Sequence, residues 1–240
     1  MTLSAIIAAA GRGERLGQPK QLLDLAGKPI AAWSLDLFEH APAIDSIYIA
    51  CEDEQRARFE ETAARYAPTK TRRIVTGGAT RQASVFAALS SIAPAPEFVL
   101  VHDGARPFLG RDVLERVIAA ARRSGAAIAA VPVKDTIKLS NQDSAVERTL
   151  ERDRLWAAQT PQMFKYELLF AAHAKAIADG STGTDDASLV ERFGATVALV
   201  MGAYENIKIT TPEDLEAARD VALRSNHGRS PGLLRPGASL

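Results

Sequence analysis

The sequence is poor in cysteine and in net charge, and each shortage excludes a class of protein. Cys51 is the single cysteine among 240 residues, so no internal disulfide can form, and the four histidines lie far apart along the chain. This pattern favours a reducing compartment, the cytoplasm, and argues against a structural zinc site. Basic and acidic residues both number 29, so no overall positive field would attract nucleic acid or an anionic membrane.

Long apolar runs are missing as well. The first apolar run, residues 3–10, is too short to cross a bilayer and has no basic leader, so we expect neither a membrane helix nor a signal peptide. The length suits one large α/β domain or two small ones. We expect a single domain over residues 1–225. Residues 226–240 are rich in glycine, proline, serine and arginine without periodicity, and we expect them to be a disordered tail.

The chain alternates between short apolar segments and amphipathic ones. This alternation predicts an α/β fold of the Rossmann-like kind, a mostly parallel sheet with helices on both faces. The predicted strands are residues 5–10, 46–51, 72–76, 98–101, 126–133, 196–201 and 206–210. The predicted helices are residues 30–40, 53–66, one capped by Thr80, one over 113–121 ended by Gly125, 166–178, 186–193, and one beginning at Pro212.

One segment breaks the alternation. Residues 136–139 and 145–149 alternate in polarity around a polar turn, which predicts a β-hairpin arm over about residues 134–152. An isolated hairpin is marginally stable in water, so we expect the arm to pack against something else. A second copy of the chain is the partner that we expect.

The glycine-rich loop after the first strand is the most informative motif. Gly11, Gly13 and Gly17 lie among Arg12, Arg15 and Lys20. Glycines allow backbone N–H groups to turn toward an anion, and three cations suit a polyanion such as a nucleoside triphosphate. The spacing fits neither a P-loop nor the dinucleotide fingerprint, because Leu16 stands where each of those motifs needs a glycine.

Three further polar residues follow predicted strands or lie within one. Asp103 ends the fourth strand, at the edge where such sheets bind ligands, and a carboxylate there suits Mg²⁺ held with substrate phosphates. It could equally shape the turn. Arg106, fixed by the following Pro107, and Lys208, between two isoleucines, could face a ligand or simply face water.

Taken in order, these motifs resemble those of the sugar-phosphate cytidylyltransferases, and within them the 2-C-methyl-D-erythritol 4-phosphate cytidylyltransferase family. The resemblance covers about residues 4–219. Its motifs are the glycine-basic loop with Pro19-Lys20-Gln21, Gly77-Gly78 with Arg81 and Ser84, Val101-His102-Asp103 with Arg106-Pro107, Asp135-Thr136, Arg152, Leu155-Trp156, Thr160-Pro161-Gln162, Thr184-Asp185 and Asn206-Ile207-Lys208.

The resemblance implies transfer of CMP from CTP to 2-C-methyl-D-erythritol 4-phosphate, with release of pyrophosphate, in the non-mevalonate isoprenoid pathway. It also implies Mg²⁺ at Asp103 and a homodimer formed through the arm. The implied catalytic residues are Arg15, Lys20 and Lys208. The implied CTP-binding residues are Ala9, Ala10, Gly11, Gly13, Gly78, Ala79, Ser84, Asp103 and Gly104. The implied acceptor-binding residues are Asp103, Arg106, Thr136, Arg152, Thr160 and Lys208.

Three alternatives remain at this point. Ribitol-5-phosphate cytidylyltransferases share several of the motifs, although Arg152 with Leu155-Trp156 and Thr184-Asp185 favour the methylerythritol enzymes. A nicotinamide-dependent oxidoreductase would need glycine at Leu16 and an acidic residue at a strand end, whereas Asp36 falls inside a predicted helix. A non-catalytic regulatory module could lack the catalytic cations, which are present here.

Overall fold

The structure is a computed structural model that describes residues 1–11, residue 13 and residues 19–226, with side chains described as far as residue 223. The predicted disordered tail beyond residue 226 and most of the glycine-basic loop therefore lie outside the described residues. Within the described part of the chain, no helix is both long and apolar enough to span a membrane.

A seven-stranded sheet forms the centre of the molecule, as the alternating pattern predicts. Its strands are β1 (Leu3–Ala8), β4 (Ser46–Cys51), β5 (Thr71–Thr76), β6 (Phe98–Asp103), β7 (Ala126–Pro132), β10 (Trp156–Lys165) and β11 (Ala198–Met201). The strand order is β11-β7-β10-β6-β1-β4-β5. All neighbouring strands are parallel except that β10 runs antiparallel to both of its neighbours. A short antiparallel pair, β2 (Asp24–Leu25) and β3 (Lys28–Pro29), lies outside this sheet.

Helices cover both faces of the sheet, because alternate residues of each buried strand point to opposite sides. The helices are α1 (Ile30–Glu39), α2 (Arg56–Tyr66), α3 (Arg81–Ser90), α4 (Arg111–Ser124), α5 (Tyr166–Ala178), α6 (Asp186–Arg192) and α7 (Pro212–Asn226). In β1, Ala5 and Ile7 pack in one core with α1, α2 and α4, whereas Ile6 packs in the other with α3, α5 and α6. Thr80 caps α3 and Gly125, with φ +84°, ends α4, as predicted.

The predicted hairpin is present as β8 (Lys138–Ser140) and β9 (Val146–Thr149), which form a two-stranded sheet of their own. Every residue from 134 to 149 is exposed. Three of these side chains are large and apolar, namely Ile137, Leu139 and Val146. Within one chain the arm thus projects without a supporting surface.

Two sequence predictions about strands are wrong. Residues 206–210 form no strand, because their polar groups bond elsewhere. The Asn206 carbonyl accepts from the Arg106 guanidinium, and the Ile209 N–H donates to the Ala105 carbonyl. The long strand β10 is absent from the prediction, since Pro161 and a register irregularity between Ala158 and Gln162 interrupt its pattern.

Candidate active site

Two neighbouring cavities lie at the edge of the sheet where the parallel strands β1, β4 and β6 end. The larger holds about 340 Å³ and the smaller about 210 Å³. Arg81, Asp103 and Lys208 line both cavities and so form a shared wall between them. Two ligands that bound in the two cavities would meet at this wall.

The larger cavity collects much of the predicted nucleotide site. Lys20, which opens a single helical turn after Pro19, is largely buried there. The predicted residues that line this cavity are Ala10, Gly11, Gly13, Lys20, Gly78, Ala79, Ser84, Asp103 and Lys208. Ala9 and Gly104 do not line it; a Cβ on Gly104 would lie 3.2 Å from the Cβ of Ala9, so these two residues pack against each other.

The loop between β5 and α3 comes close to β1. A Cβ on Gly77 would lie 2.2 Å from the Cβ of Ala10, which is why only glycine fits at this point. The buried Ser84 hydroxyl accepts from the Gly78 N–H at 3.1 Å and lies 2.8 Å from the Thr80 carbonyl. Ser84 therefore holds the loop in shape as well as lining the cavity.

Asp103 lies at the centre of a group of cations. Its Oδ1 lies 3.0 Å from Arg81 Nε, and its Oδ2 lies 2.9 Å from Lys208 Nζ and 3.7 Å from Arg106 Nε. Burial by itself raises the pKa of Asp103, but Arg81 and Lys208 outweigh burial and hold that pKa below its ordinary value. The carboxylate is thus ionised at neutral pH and organises the shared wall.

These contacts answer the questions that the sequence left open. Arg106 is half-buried rather than solvated, with 11% of its side chain exposed, and its Nη1 donates to the Asn206 carbonyl at 2.7 Å. Lys208 is partly exposed, but its ammonium turns to Asp103 rather than only to water. Asp103 lines both cavities, so it does more than shape a turn.

A buried hydrogen-bond network connects the backbone of Asp103 to Thr160 and His102. The Asp103 N–H donates to Thr160 Oγ1 at 3.1 Å, and that hydroxyl lies 2.9 Å from His102 Nδ1. His102 Nε2 lies 3.1 Å from the Arg106 carbonyl. Burial lowers the pKa of His102 to about 4, so the ring is neutral. Its Nε2–H then donates to that carbonyl, while Nδ1 accepts from Thr160.

Arg81 is the main residue that the site prediction omits, although the sequence resemblance includes it. Its Nε binds Asp103 and its Nη1 binds Asp186 Oδ2 at 2.8 Å. Burial lowers the pKa of Arg81, but the two carboxylates outweigh this and raise it. The sequence signal that could have placed Arg81 in the site is its position in the first turn of α3, directly after the Gly77-Gly78 loop. Nothing in the sequence pairs it with Asp186, which is 105 residues away.

Two predicted acceptor-binding residues, Thr136 and Arg152, are not brought to the cavities by one chain. Arg15, a predicted catalytic residue, lies outside the described residues. Thr136 is exposed at the base of the arm, and the exposed Arg152 donates to the Lys134 carbonyl at 3.1 Å. Neither Thr136 nor Arg152 is among the described residues that line the two cavities.

Comparison with known proteins identifies the family of this chain. The family model of 2-C-methyl-D-erythritol 4-phosphate cytidylyltransferase matches residues 3–224. A protein of that name from Shouchella clausii is 50% identical over 223 residues, covering 92% of this chain and 96% of its own length.

Two solved structures share the fold. The 4-diphosphocytidyl-2C-methyl-D-erythritol synthase of Anaerococcus prevotii has a TM-score of 0.84 at 35% identity, covering 93% of this chain and 96% of that one. The 2-C-methyl-D-erythritol 4-phosphate cytidylyltransferase of Thermus thermophilus has a TM-score of 0.77 at 37% identity, covering 93% of this chain and 100% of that one. The family model and the relatives in sequence and in fold show that the chain belongs to the 2-C-methyl-D-erythritol 4-phosphate cytidylyltransferase family.

Proposed function

We propose that this protein transfers CMP from CTP to 2-C-methyl-D-erythritol 4-phosphate, releasing pyrophosphate, as a step of isoprenoid precursor synthesis. The observation that carries the proposal is the pair of cavities with one cationic wall between them. A transferase that joins two anionic substrates needs a pocket for each and positive charge where their phosphates meet.

CTP occupies the larger cavity in this proposal. The backbone around Ala9, Ala10, Gly11 and Gly78, with Ala79 and Ser84, holds the cytosine. The triphosphate lies toward Gly13 and Lys20. Arg15, which lies outside the described residues, acts with Lys20 on the α-phosphate and on the departing pyrophosphate.

The sugar phosphate occupies the smaller cavity. Asp103 accepts from hydroxyls of its diol, with Arg106 and Thr160 beside it. Thr136 and Arg152 of a second subunit complete the site, because neither is among the described residues that line the two cavities of its own chain. The protein is thus a homodimer in which each arm reaches the partner's acceptor cavity.

The chemistry needs no general base, because the attacking oxygen belongs to a phosphate that is already ionised. What the site must supply is alignment of that oxygen with the α-phosphate and stabilisation of the charge that accumulates there. Lys208 stands on the wall that both cavities share, so its ammonium bridges the two phosphates during transfer. Lys208 can leave Asp103 for this purpose, since its side chain is partly exposed.

Asp103 would hold Mg²⁺ only after the nucleotide has bound, together with phosphate oxygens of that nucleotide. Among the described residues no group of three or more histidine, cysteine, aspartate or glutamate side chains could hold a metal. The Asp103 carboxylate offers hard oxygen ligands, but the side chains of Arg81, Arg106 and Lys208 already face it. Their positive charges would repel a divalent cation. With the triphosphate present the repulsion is offset, and one carboxylate plus phosphate oxygens is the ligand set that Mg²⁺ ordinarily takes. When bound, the ion neutralises phosphate charge.

A metal titration checks this order. Calorimetry should detect saturable Mg²⁺ binding to the protein with CTP, beyond that of CTP alone, and none to the free protein. EDTA should abolish turnover and Mg²⁺ should restore it. Comparable Mg²⁺ affinity with and without nucleotide would contradict the proposed order, and full activity in metal-free buffer would remove the metal from the reaction.

A pyrophosphate-release assay tests the function itself. The protein should release pyrophosphate from CTP with 2-C-methyl-D-erythritol 4-phosphate and not without an acceptor. UTP replaces CTP in one control and ribitol 5-phosphate replaces the acceptor in another. Faster release with ribitol 5-phosphate would reassign the acceptor, and release without any acceptor would indicate hydrolysis instead of transfer.

A further inference from the structure

A chain of four ionisable side chains runs from the interior of the protein to the shared wall. His173 Nε2 lies 3.0 Å from Asp186 Oδ1, Asp186 Oδ2 lies 2.8 Å from Arg81 Nη1, and Arg81 Nε lies 3.0 Å from Asp103 Oδ1. The four residues come from α5, α6, α3 and β6. The first two members line neither cavity, so they cannot touch a substrate directly.

Asp186 needs both of its partners because it is only 1% exposed. A buried carboxylate is costly unless it is paired and hydrogen-bonded. Burial raises the pKa of Asp186, but Arg81 and then His173 outweigh it, so that the pKa lies below its ordinary value and the group is an anion. An ionised carboxylate only accepts hydrogen bonds, so His173 must donate through its Nε2–H.

His173 is held in place by its surroundings. It is fully buried, and its ring stacks on Phe86 with centroids 5.8 Å apart and planes at 11°. Its other nitrogen, Nδ1, has no hydrogen-bond partner within the part of the chain that the structure describes. A buried ring that leaves one nitrogen unpartnered is less favourable than an apolar residue of similar size. The contact with Asp186 is therefore the interaction for which a histidine, rather than an apolar residue, is required here.

Arg81 connects Asp186 to Asp103, so the position of one carboxylate affects the other. Two carboxylates fix the guanidinium plane, one at Nε and one at Nη1. With Oδ1 occupied by Arg81, Asp103 presents Oδ2 to Lys208 and Arg106. If Arg81 turned away, the Asp103 carboxylate could rotate and take Lys208 with both oxygens, and the wall between the cavities would lose its arrangement.

We propose that His173 and Asp186 are positioning residues of this active site, which fix Arg81 and through it the orientation of the Asp103 carboxylate. The proposal rests on the function proposed above and assigns to that site two residues that do not line it. His173 supplies the second hydrogen bond to Asp186. Without it, the under-partnered Asp186 draws the guanidinium of Arg81 toward itself and away from Asp103.

A matched pair of variants separates positioning from plain stability. His173→Gln and His173→Leu both lose the ring that stacks on Phe86, but only glutamine retains an N–H donor for Asp186. Both variants should therefore show a similar drop in Tm. The kcat/KM for the sugar phosphate should fall at least about tenfold in His173→Leu and stay within about threefold in His173→Gln. The KM for CTP should stay within about twofold in both, because the hydrogen bonds that hold Gly78 and Ser84 in place involve neither Arg81 nor Asp186.

A crystal structure of His173→Leu supplies a readout that does not depend on turnover. We expect the contact between Arg81 Nε and Asp103 Oδ1 to be lost there and kept in His173→Gln. The proposal is overturned if both variants lose activity in proportion to their Tm, if neither loses activity, or if Arg81 and Asp103 stay in place in His173→Leu. Absence of pyrophosphate release by the wild-type protein would instead contradict the proposed function. The crystal structures would still show whether His173 positions Arg81.

Discussion

At the scale of single residues, Lys20 is the described cation that belongs to the nucleotide cavity alone. It lines the larger cavity and is largely buried, and the smaller cavity does not include it. Its charge should therefore act on the triphosphate, most strongly as negative charge moves to the departing pyrophosphate.

We expect Lys20→Ala to lower kcat by roughly 10²–10³, the range found when one electrostatic donor is removed from an active site. Steady-state kinetics with saturating CTP measures this. Lys175→Ala is the matched control, because Lys175 is exposed and forms a surface ion pair with Asp179. A Lys20→Ala variant that kept more than half of the wild-type kcat would remove Lys20 from the catalytic group.

His102 makes the stability of the folded protein depend on pH. Its pKa is lowered by burial from 6.5 to about 4, so between these values the unfolded chain binds a proton that the folded chain does not. Stability is therefore highest above about pH 6.5 and falls as the pH decreases toward 4, by up to about 3 kcal/mol from this one group.

Urea denaturation between pH 7 and pH 4.5 measures the slope. His102→Gln cannot titrate, so its stability should be lower at pH 7 but should fall less steeply with acidification than that of the wild type. Equal slopes in the two proteins would show that the ring is not held neutral in the folded state.

The residue scale also shows what a sequence can reveal about this site. Lys20 and Asp103 were predicted from a local pattern, a loop and a strand end, whereas the pattern left Arg106 and Lys208 open and only the family resemblance assigned them to the site. All four line at least one of the two cavities. The partnership of Arg81 with Asp186 was not predictable in this way. It joins two helix starts distant in sequence, and only the packing of α3 against α5 and α6 brings them together.

At the scale of elements, the start of α3 links local stability to the site. Thr80 Oγ1 accepts from the Ala83 N–H at 3.1 Å, and the same helix begins with Arg81 and carries Ser84. The cap satisfies one of the N–H groups that a helix start leaves unpaired.

Thr80→Ala should lower the free energy of unfolding by about 1 kcal/mol, and Thr80→Ser should retain most of it, because serine is an equally good cap. Chemical denaturation of the two variants measures this difference. If serine and alanine destabilised the protein equally, the lost methyl contacts and not the hydrogen bond would account for the effect.

The helices and strands whose apolar residues follow a clear pattern were predicted well, and those without such a pattern were not. Ser46–Cys51 and Tyr166–Ala178 match their predicted bounds, because an apolar run or a helical stripe marks each of them. β10 was missed since it contains Pro161 and changes register midway. Residues 206–210 resemble a strand in sequence, yet Asn206 is fully buried and bonds to Arg106 and Thr160 instead of to a neighbouring strand. The spacing of apolar residues along the sequence does not reveal hydrogen bonds of this kind.

At the scale of the whole molecule, the arm predicts that one subunit completes the site of another. Residues 134–149 are all exposed, and Thr136 and Arg152 lie at the two ends of the arm. If both residues bind the acceptor in the partner's cavity, loop lesions and arm lesions should complement each other.

Arg15→Ala and Arg152→Ala should each be nearly inactive alone, because one damages the nucleotide loop and the other the arm. In a mixed dimer one site collects both lesions and the other has neither. After subunit exchange the mixture should recover up to about a quarter of the wild-type activity, since half of the dimers are mixed and each has one intact site of two. No recovery despite demonstrated exchange would place Arg152 in its own subunit's site, and a monomer in light scattering would exclude the arrangement.

The strand β10 sets a limit on how relatives of this protein can diverge. It starts at the base of the arm, contributes Thr160 to the support of Asp103, and continues along β6 to Lys165. Because side chains alternate across a strand, one residue inserted within residues 156–158, where β10 pairs with β7, would move the side chains on one side of the insertion to the opposite face of the sheet. The turn at residues 141–144 carries no such constraint, since among the described residues it is exposed and its hydrogen bonds stay inside the hairpin. Lineages can therefore lengthen or shorten the tip of the arm, whereas the number of residues in this paired segment of β10 must stay fixed.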